Sequence, residues 1–377
     1  MDCAFSEKCG GCVYRHLSSE EYQERKRRAV LTILHNLQAQ DFRFAEPFFV
    51  GDGQRRRATF AFQMKKGRLS FGFNVRAGSE IINIDRCCLL TPGINRGLAG
   101  LRKLAAAVCA VKTFSVSKGR KTTPVFVTAG DVSVTEADNG LDVVLEFDAE
   151  LNLDYRMEIF ELSQQLDNVI RISHRRRPGA VPEAVVEKTK PVIGIAGYEV
   201  LIPAGTFLQA SALSEKVLID TVLKYAGNAG GKIADLFCGV GTFSYPLSRL
   251  PGTGILAVDS SAELLEGFRR SVNKNMISNI DIATRNLFKY PLDEKELNGF
   301  DLVVFDPPRA GARAQVQKIA AMGASAPARV VAVSCNPHSF VSDANLLISG
   351  GYRLEEITLV DQFSYSNHSE LVALFTK

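Results

Sequence analysis

The spacing of apolar positions divides the 377-residue chain into stretches of different period. Near the start, Ser18-Ser19-Glu20-Glu21 precedes a strongly basic segment in which Ala29, Val30, Ile33, Leu34 and Leu37 recur at helical spacing. A serine with a glutamate three residues on caps a helix reciprocally, so a helix is expected over about residues 20–37. Between about 48 and 175 the runs shorten and alternate. Residues 57–62, 69–73, 124–127 and 141–145 read as strands of a mostly antiparallel sheet, interrupted by helices at about 92–110 and 155–167. The stretch 178–191, between Pro178 and Pro191 and just after Arg175-Arg176-Arg177, reads as a link. From about 212 the pattern becomes strand–helix–strand, with apolar strands at 232–237, 254–258, 279–284, 300–305 and 329–334. That alternation predicts a doubly wound α/β sheet with its ligand crevice at the C-terminal strand ends. Two last runs, 354–360 and 371–375, leave no room for a crossover helix and predict a closing antiparallel hairpin. The expected organisation is an α+β region over 1–190 and an α/β domain over 191–377.

Composition alters this picture little. The chain is 46% apolar and 23% charged, and its 30 Gly and 14 Pro exclude collagen-like and low-complexity classes. No apolar run approaches the ~18 residues of a membrane helix, and no basic patch leads into an apolar stretch at the N-terminus, so a soluble cytoplasmic protein is expected. Charge alters it more. The net charge is +4, but residues 1–130 hold 22 Lys and Arg against 10 Asp and Glu, and the remainder 23 against 31. Such asymmetry suggests that the N-terminal part faces a polyanion such as a nucleic acid.

The α/β half carries its chemistry at strand ends. Asp235-Leu236-Phe237-Cys238-Gly239-Val240-Gly241-Thr242 follows the first strand, where Gly239 and Gly241 allow backbone to approach a ligand closely. Ser244 stands where a dinucleotide fingerprint has its third glycine. Asp259 ends the next strand, where a carboxylate can take both ribose hydroxyls. Asp306-Pro307-Pro308-Arg309 ends the fourth strand as a rigid loop that could hold a methyl acceptor. The closing hairpin and these loops suit an S-adenosylmethionine (SAM) methyltransferase better than a dinucleotide enzyme. After the fifth strand comes Ser334-Cys335-Asn336-Pro337, a thiol near the start of an expected helix. A thiolate is useful where the acceptor is C5 of uracil, because addition at C6 makes C5 nucleophilic. Glu370, in His368-Ser369-Glu370, is the candidate base for the C5 proton. Methylation of an exocyclic amine would need only the Asp306 loop, and a non-catalytic RNA-binding protein would need none of these groups.

Of the eight cysteines, Cys3, Cys9 and Cys12 lie close together and Cys87-Cys88 far along the chain. Three clustered thiolates and a remote fourth can ligate zinc or an iron–sulfur cluster. Spacing leaves both metals, and both remote cysteines, open; Cys88 is the preferred fourth ligand. Cys238, inside the glycine turn, reads as a packing residue.

Together these motifs resemble the SAM-dependent RNA uridine-5 methyltransferases, in particular the iron–sulfur-containing 23S rRNA enzymes. The resemblance rests on Cys9-Gly10-Gly11-Cys12, Arg55-Arg56-Arg57-Ala58, Phe207-Leu208-Gln209, the glycine turn, Asp306-Pro307-Pro308-Arg309, Ser334-Cys335-Asn336-Pro337 and the Glu370 segment. It implies a Rossmann-like class I methyltransferase sheet, and an N-terminal α+β region bearing a [4Fe–4S] cluster on Cys3, Cys9, Cys12 and Cys88. It implies SAM contacts from Gln209, Phe237, Gly239, Thr242, Asp259, Asn286 and Asp306, with Cys335 as nucleophile and Glu370 as proton acceptor. Asp259 and Thr242 stand where family members commonly carry Glu and Asn. The cluster motif begins at residue 3, so the small RNA-binding β-barrel that opens many members is not expected. The implied partner is RNA, 23S rRNA ahead of tRNA, with Arg25–Arg28, Arg55–Arg57 and Arg175–Arg177 as candidate phosphate contacts.

Overall fold

The computed structural model describes residues 3–39, 41–116 and 122–377. They fall into two compact units, each assembled from separated parts of the chain. The first comprises Met1–His16, Gly51–Ile193 and Ile202–Leu208; the second comprises Leu17–Val50, Gly194–Leu201 and Gln209–Lys377.

The first unit is built on a seven-stranded sheet in the order Glu183–Glu187, Val169–Arg175, Gly140–Glu146, Ala129–Ala137, Arg57–Lys65, Arg68–Asn74, Ile81–Asn83. Neighbours are antiparallel except Gly140–Glu146 and Val169–Arg175, a parallel pair whose connection carries the helix Leu153–Ser163. Phe60, Phe62, Phe71, Val132 and Val143 turn inward and form one core with Ile94, Leu98, Leu101 and Leu104 of the helix Pro92–Ala110. The central strand Ala129–Ala137 was not apparent from pattern, because Ser133 and Thr135 alternate with only two inward valines, Val132 and Val134. The stretch 178–191 is not merely a link, since Glu183–Glu187 inside it pairs with Val169–Arg175 as an edge strand.

The second unit holds the predicted doubly wound sheet. Its order is Arg43–Phe44, Arg353–Asp361, Glu370–Thr376, Arg329–Ser334, Phe300–Phe305, Gly231–Leu236, Thr253–Asp259, Ile280–Thr284, with Phe48–Phe49 also pairing to Arg353–Asp361. Glu370–Thr376 runs antiparallel between Arg329–Ser334 and Arg353–Asp361, which is the expected closing hairpin. Gly231–Leu236 lies between Phe300–Phe305 and Thr253–Asp259, so strand order reverses there and a crevice opens at the C-terminal ends.

The N-terminal helix, Ser19–Leu34, belongs to this second unit. Its capping box, Ser18 with Glu21, forms as predicted, and Val30, Leu34 and Leu37 join the core of the parallel sheet. Ala29 is exposed, so the buried stripe is set back by a turn: Tyr22, Lys26, Val30 and Leu34 are the buried positions. Among the described residues no helix is long and apolar enough to cross a membrane.

Candidate active site

The glycine turn after Gly231–Leu236 is held before any ligand arrives. Phe237 adopts φ +61°, a left-handed conformation that costs a non-glycine residue about 1 kcal/mol. Gly239 (φ +56°) follows, and a Cβ built there meets no atom within 4 Å, so its backbone faces open space. The Asp259 carboxylate accepts from Gly239 N (3.1 Å) and Ser261 N (2.9 Å), tying the second strand end to the turn. Thr242 sits partly buried in the turn just before the short helix Ser244–Leu247. Asn286 folds its own loop by accepting from Phe288 N (3.1 Å) and Lys289 N (3.2 Å). This brings the half-exposed Phe288 ring within 5.4 Å of the Phe237 ring, giving the crevice an aromatic side.

Behind the turn, Asp235 is fully buried and accepts from Ser244 Oγ, while its Oδ1 has no hydrogen-bond partner. Burial, with Asp306 and Asp259 nearby, pushes its carboxyl up to about 7. Cys238 is buried against the turn and its thiol is pushed up by burial, as a packing role requires.

A continuous polar chain spans the crevice. Gln209 donates Nε2 to Asp306 Oδ2 (3.2 Å). Gln362 donates to Gln209 Oε1 (2.7 Å) and to Glu370 Oε2 (2.7 Å), and its own Oε1 accepts from Ala210 N (2.7 Å). Asp306, at the end of Phe300–Phe305, donates its backbone N–H to Leu236 O (3.2 Å), which pins the Asp306-Pro307-Pro308 loop beside the glycine turn. Burial raises the Asp306 carboxyl, opposed by the Gln209 donor.

Cys335 follows Arg329–Ser334 and precedes the helix Pro337–Ser349, whose N-cap is Asn336. It is half-buried. Burial first, then the carboxylates of Glu370 and Asp306, push its thiol up to about 11, while Arg309 opposes them. Those neighbours place the three groups in one electrostatic environment. Arg309 in turn meets the His368 ring, and Asn336 Nδ2 donates to Arg309 O (3.0 Å). Sequence reasoning thus located Gln209, Phe237, Gly239, Asp259, Asp306, Cys335 and Glu370 around one crevice. It missed Gln362 and Phe288, because neither lies in a pattern; only the folded hydrogen bonds and ring contact reveal them.

In the first unit, Cys9 pairs as an isolated bridge with Val75, and Asn95 organises the Cys87 turn by exchanging hydrogen bonds with Cys87 N and O (2.9 and 3.0 Å). Burial and then Cys87, Cys9 and Cys3 push the Cys12 thiol up to about 12, opposed in part by Arg15. Cys88 is raised by burial and then by Cys3. Cys3, Cys9, Cys12 and Cys87 therefore influence one another electrostatically, and Cys88 is linked to the set through Cys3. Among the described residues no three His, Cys, Asp or Glu side chains are grouped to hold a metal ion. An iron–sulfur cube takes one thiolate at each of its four irons, and the cysteines of this segment are donors of that kind.

Several arginines read as phosphate contacts are not free to serve. Lys26 is 3% exposed and Arg56 5%. Burial lowers the Arg55 guanidinium beside the thiols, and Arg175 Nε donates to Glu146 Oε2 (2.5 Å). Arg57 instead lies 3.8 Å over the exposed Phe207 ring, beside a recess of about 230 Å³ that Thr59 and Ser133 also line. The charge asymmetry was therefore partly structural.

The family model described as tRNA (Uracil-5-)-methyltransferase matches residues 135–377. The chain belongs to this family. It is 35% identical over 376 residues to an RNA methyltransferase of Brucella melitensis, covering all of this chain and 84% of that protein. It is 25% identical to the 23S rRNA (uracil(1939)-C(5))-methyltransferase RlmD of Mannheimia succiniciproducens, covering all of this chain and 81% of that one. Its fold matches that of the Pyrococcus abyssi tRNA (uracil-54, C5)-methyltransferase in complex with S-adenosyl-L-homocysteine, with a TM-score of 0.73, 23% identity and coverage of 97% and 86% of the two chains. As a uracil-5 methyltransferase the chain acts on RNA and uses SAM.

Proposed function

We propose that this chain methylates C5 of one uridine in 23S rRNA through a covalent Cys335 adduct. The observation that carries the chemistry is the grouping of Cys335, Glu370 and Asp306 at adjoining strand ends. The RlmD relatives, matched over about four-fifths of their length, support rRNA as substrate.

SAM supplies an electrophilic methyl group when bound. Gly239, Asp259, Phe237, Thr242, Asn286, Asp306 and Gln209 would hold it: an open glycine backbone, a strand-end carboxylate and an aromatic side fit a nucleoside. The chain's own chemistry begins with deprotonation of Cys335, whose proton passes to solvent. Its Sγ adds to C6 of the uracil, and the C5=C6 π electrons become a C5 nucleophile that accepts the methyl. Glu370 then takes the C5 proton, C5=C6 re-forms and the S–C6 bond breaks, returning the thiolate. The target base has to leave its stack to reach Cys335, so a loop uridine is the fitting substrate.

For the first unit, a [4Fe–4S] cluster on Cys3, Cys9, Cys12 and Cys88 is part of the same reading. It is supported by the electrostatic proximity of the thiols. The cluster would tie the N-terminal segment to the Cys87-Cys88 turn. Arg57 and Phe207 would meet RNA, with the ring as a base platform and the exposed Arg27 and Arg28 as phosphate contacts. The enzyme would work in the cytoplasm.

A tRNA uridine is the second reading, favoured by the likeness in fold to the archaeal tRNA enzyme. Mapping 5-methyluridine in rRNA and tRNA from cells with and without the protein separates the two. Loss of one rRNA 5-methyluridine is expected; loss confined to tRNA would overturn the rRNA assignment.

A further inference from the structure

Lys26 is a buried lysine on a helix more than 300 residues from Cys335 and Glu370 in sequence, yet inside the same compact unit. Its ammonium pairs with Asp361 Oδ1 at 3.0 Å and donates to Ser366 O (2.8 Å) and to His368 O. The ammonium thus donates two backbone hydrogen bonds and forms one ion pair. One helical turn earlier, Tyr22 donates Oη to Asp361 Oδ2 and stacks its ring on Tyr365 at 4.7 Å between centroids. Tyr365 holds φ +60°, a strained conformation that needs such support. Val30 and Leu34 fix the helix itself in the core.

The grip falls at both ends of the turn that leads to the proposed base. Asp361 is followed directly by Gln362, whose Nε2 reaches Glu370 Oε2, and His368 precedes Glu370 by two residues. Burying an unpaired ammonium is costly, and here the expense is met by contacts made only to the turn that delivers Glu370.

We infer that Lys26 is a positioning residue for Glu370, holding the 362–369 turn so that the carboxylate meets the C5 proton of the adduct. The inference rests on the covalent reading above. Displacing a reacting group by about 1 Å can cost about 100-fold. A Lys26 variant should therefore be slow in releasing the adduct rather than in forming it, which a loss of folded protein would not produce.

The test uses the full chain, SAM and whichever unmodified transcript, 23S rRNA or tRNA, the wild type methylates. Covalent RNA–protein adduct and released 5-methyluridine are measured in the same quenched samples for wild type, Lys26→Met, Lys26→Arg and Glu370→Gln. Lys26→Arg keeps the charge opposite Asp361 but moves the donors, so it guards against a Lys26→Met chain that does not fold. Expected are a fall in turnover of about 10- to 100-fold for Lys26→Met and a smaller fall for Lys26→Arg. The adduct-to-product ratio should rise at least about tenfold toward that of Glu370→Gln. A folded variant of either kind with the wild-type ratio overturns the positioning role, and so does a parallel loss of adduct and product. Absence of adduct in Glu370→Gln overturns the covalent reading itself.

Discussion

In the crevice of the second unit, acids and amides meet one another; in the cysteine segment of the first, thiols meet thiols. Gln362 joins Gln209 to Glu370, and Asp259 is tied to the glycine turn, so these groups meet complementary partners. Such mutual hydrogen bonds pre-organise a crevice, which suits the SAM site proposed there. In the cysteine segment burial, and then the neighbouring thiols, push the Cys12 thiol up to about 12. That arrangement gains from a permanent positive partner, as a resident cluster would be. On the proposed reading, the difference separates a pre-organised catalytic site from a segment whose order would come from its cofactor.

The comparison can be broken at either end. The largest effect is expected from Cys12→Ser. It should abolish the brown colour of anaerobically purified protein and lower the melting temperature by roughly 10 °C or more, since metal ligation is itself folding free energy. A colourless, zinc-loaded wild type would refute the cluster. Asp306→Asn should lower kcat by about 10²–10³-fold, the scale of losing one pre-organised electrostatic group. Initial rates decide, and a near-wild-type rate would show that the polar chain does not serve the reaction.

A third effect follows from the Cys335 thiol being pushed up to about 11. At neutral pH the group is then a thiol, and its thiolate fraction rises with pH. Alkylation of Cys335, followed by peptide mass spectrometry, should accelerate about tenfold per pH unit between 7 and 9. A plateau by pH 8 would mean that burial does not govern the nucleophile. The smallest effect concerns RNA: Arg57→Ala should weaken binding by about tenfold at low salt, by removing a guanidinium stacked on an exposed ring. Unchanged affinity would remove Arg57 from the RNA surface.

Much of the second unit was legible in the sequence, because parallel strands buried on both faces are continuous apolar runs and their ends carry Gly239, Asp259, Asp306 and Cys335 in chain order. The closing hairpin was legible for the same reason: two apolar runs stood too close for a crossover. The central strand Ala129–Ala137 escaped because its outward Ser133 and Thr135 dilute the signal. Lys26 was misread because helical periodicity scores lysine as a solvent residue, and its partner Asp361 lies on a distant strand. Gln362 carried no local signal at all, since its meaning is the pair of hydrogen bonds it makes after folding.

The central claim is that Cys335 is the nucleophile for methylation at C5, and nucleoside mass spectrometry of RNA treated with wild type and Cys335→Ala tests it most directly. The account predicts 5-methyluridine with the wild type and none with Cys335→Ala, while calorimetry still detects SAM binding to the variant. 5-Methyluridine formed by Cys335→Ala at the wild-type rate, or a methylated exocyclic amine from either protein, would contradict it.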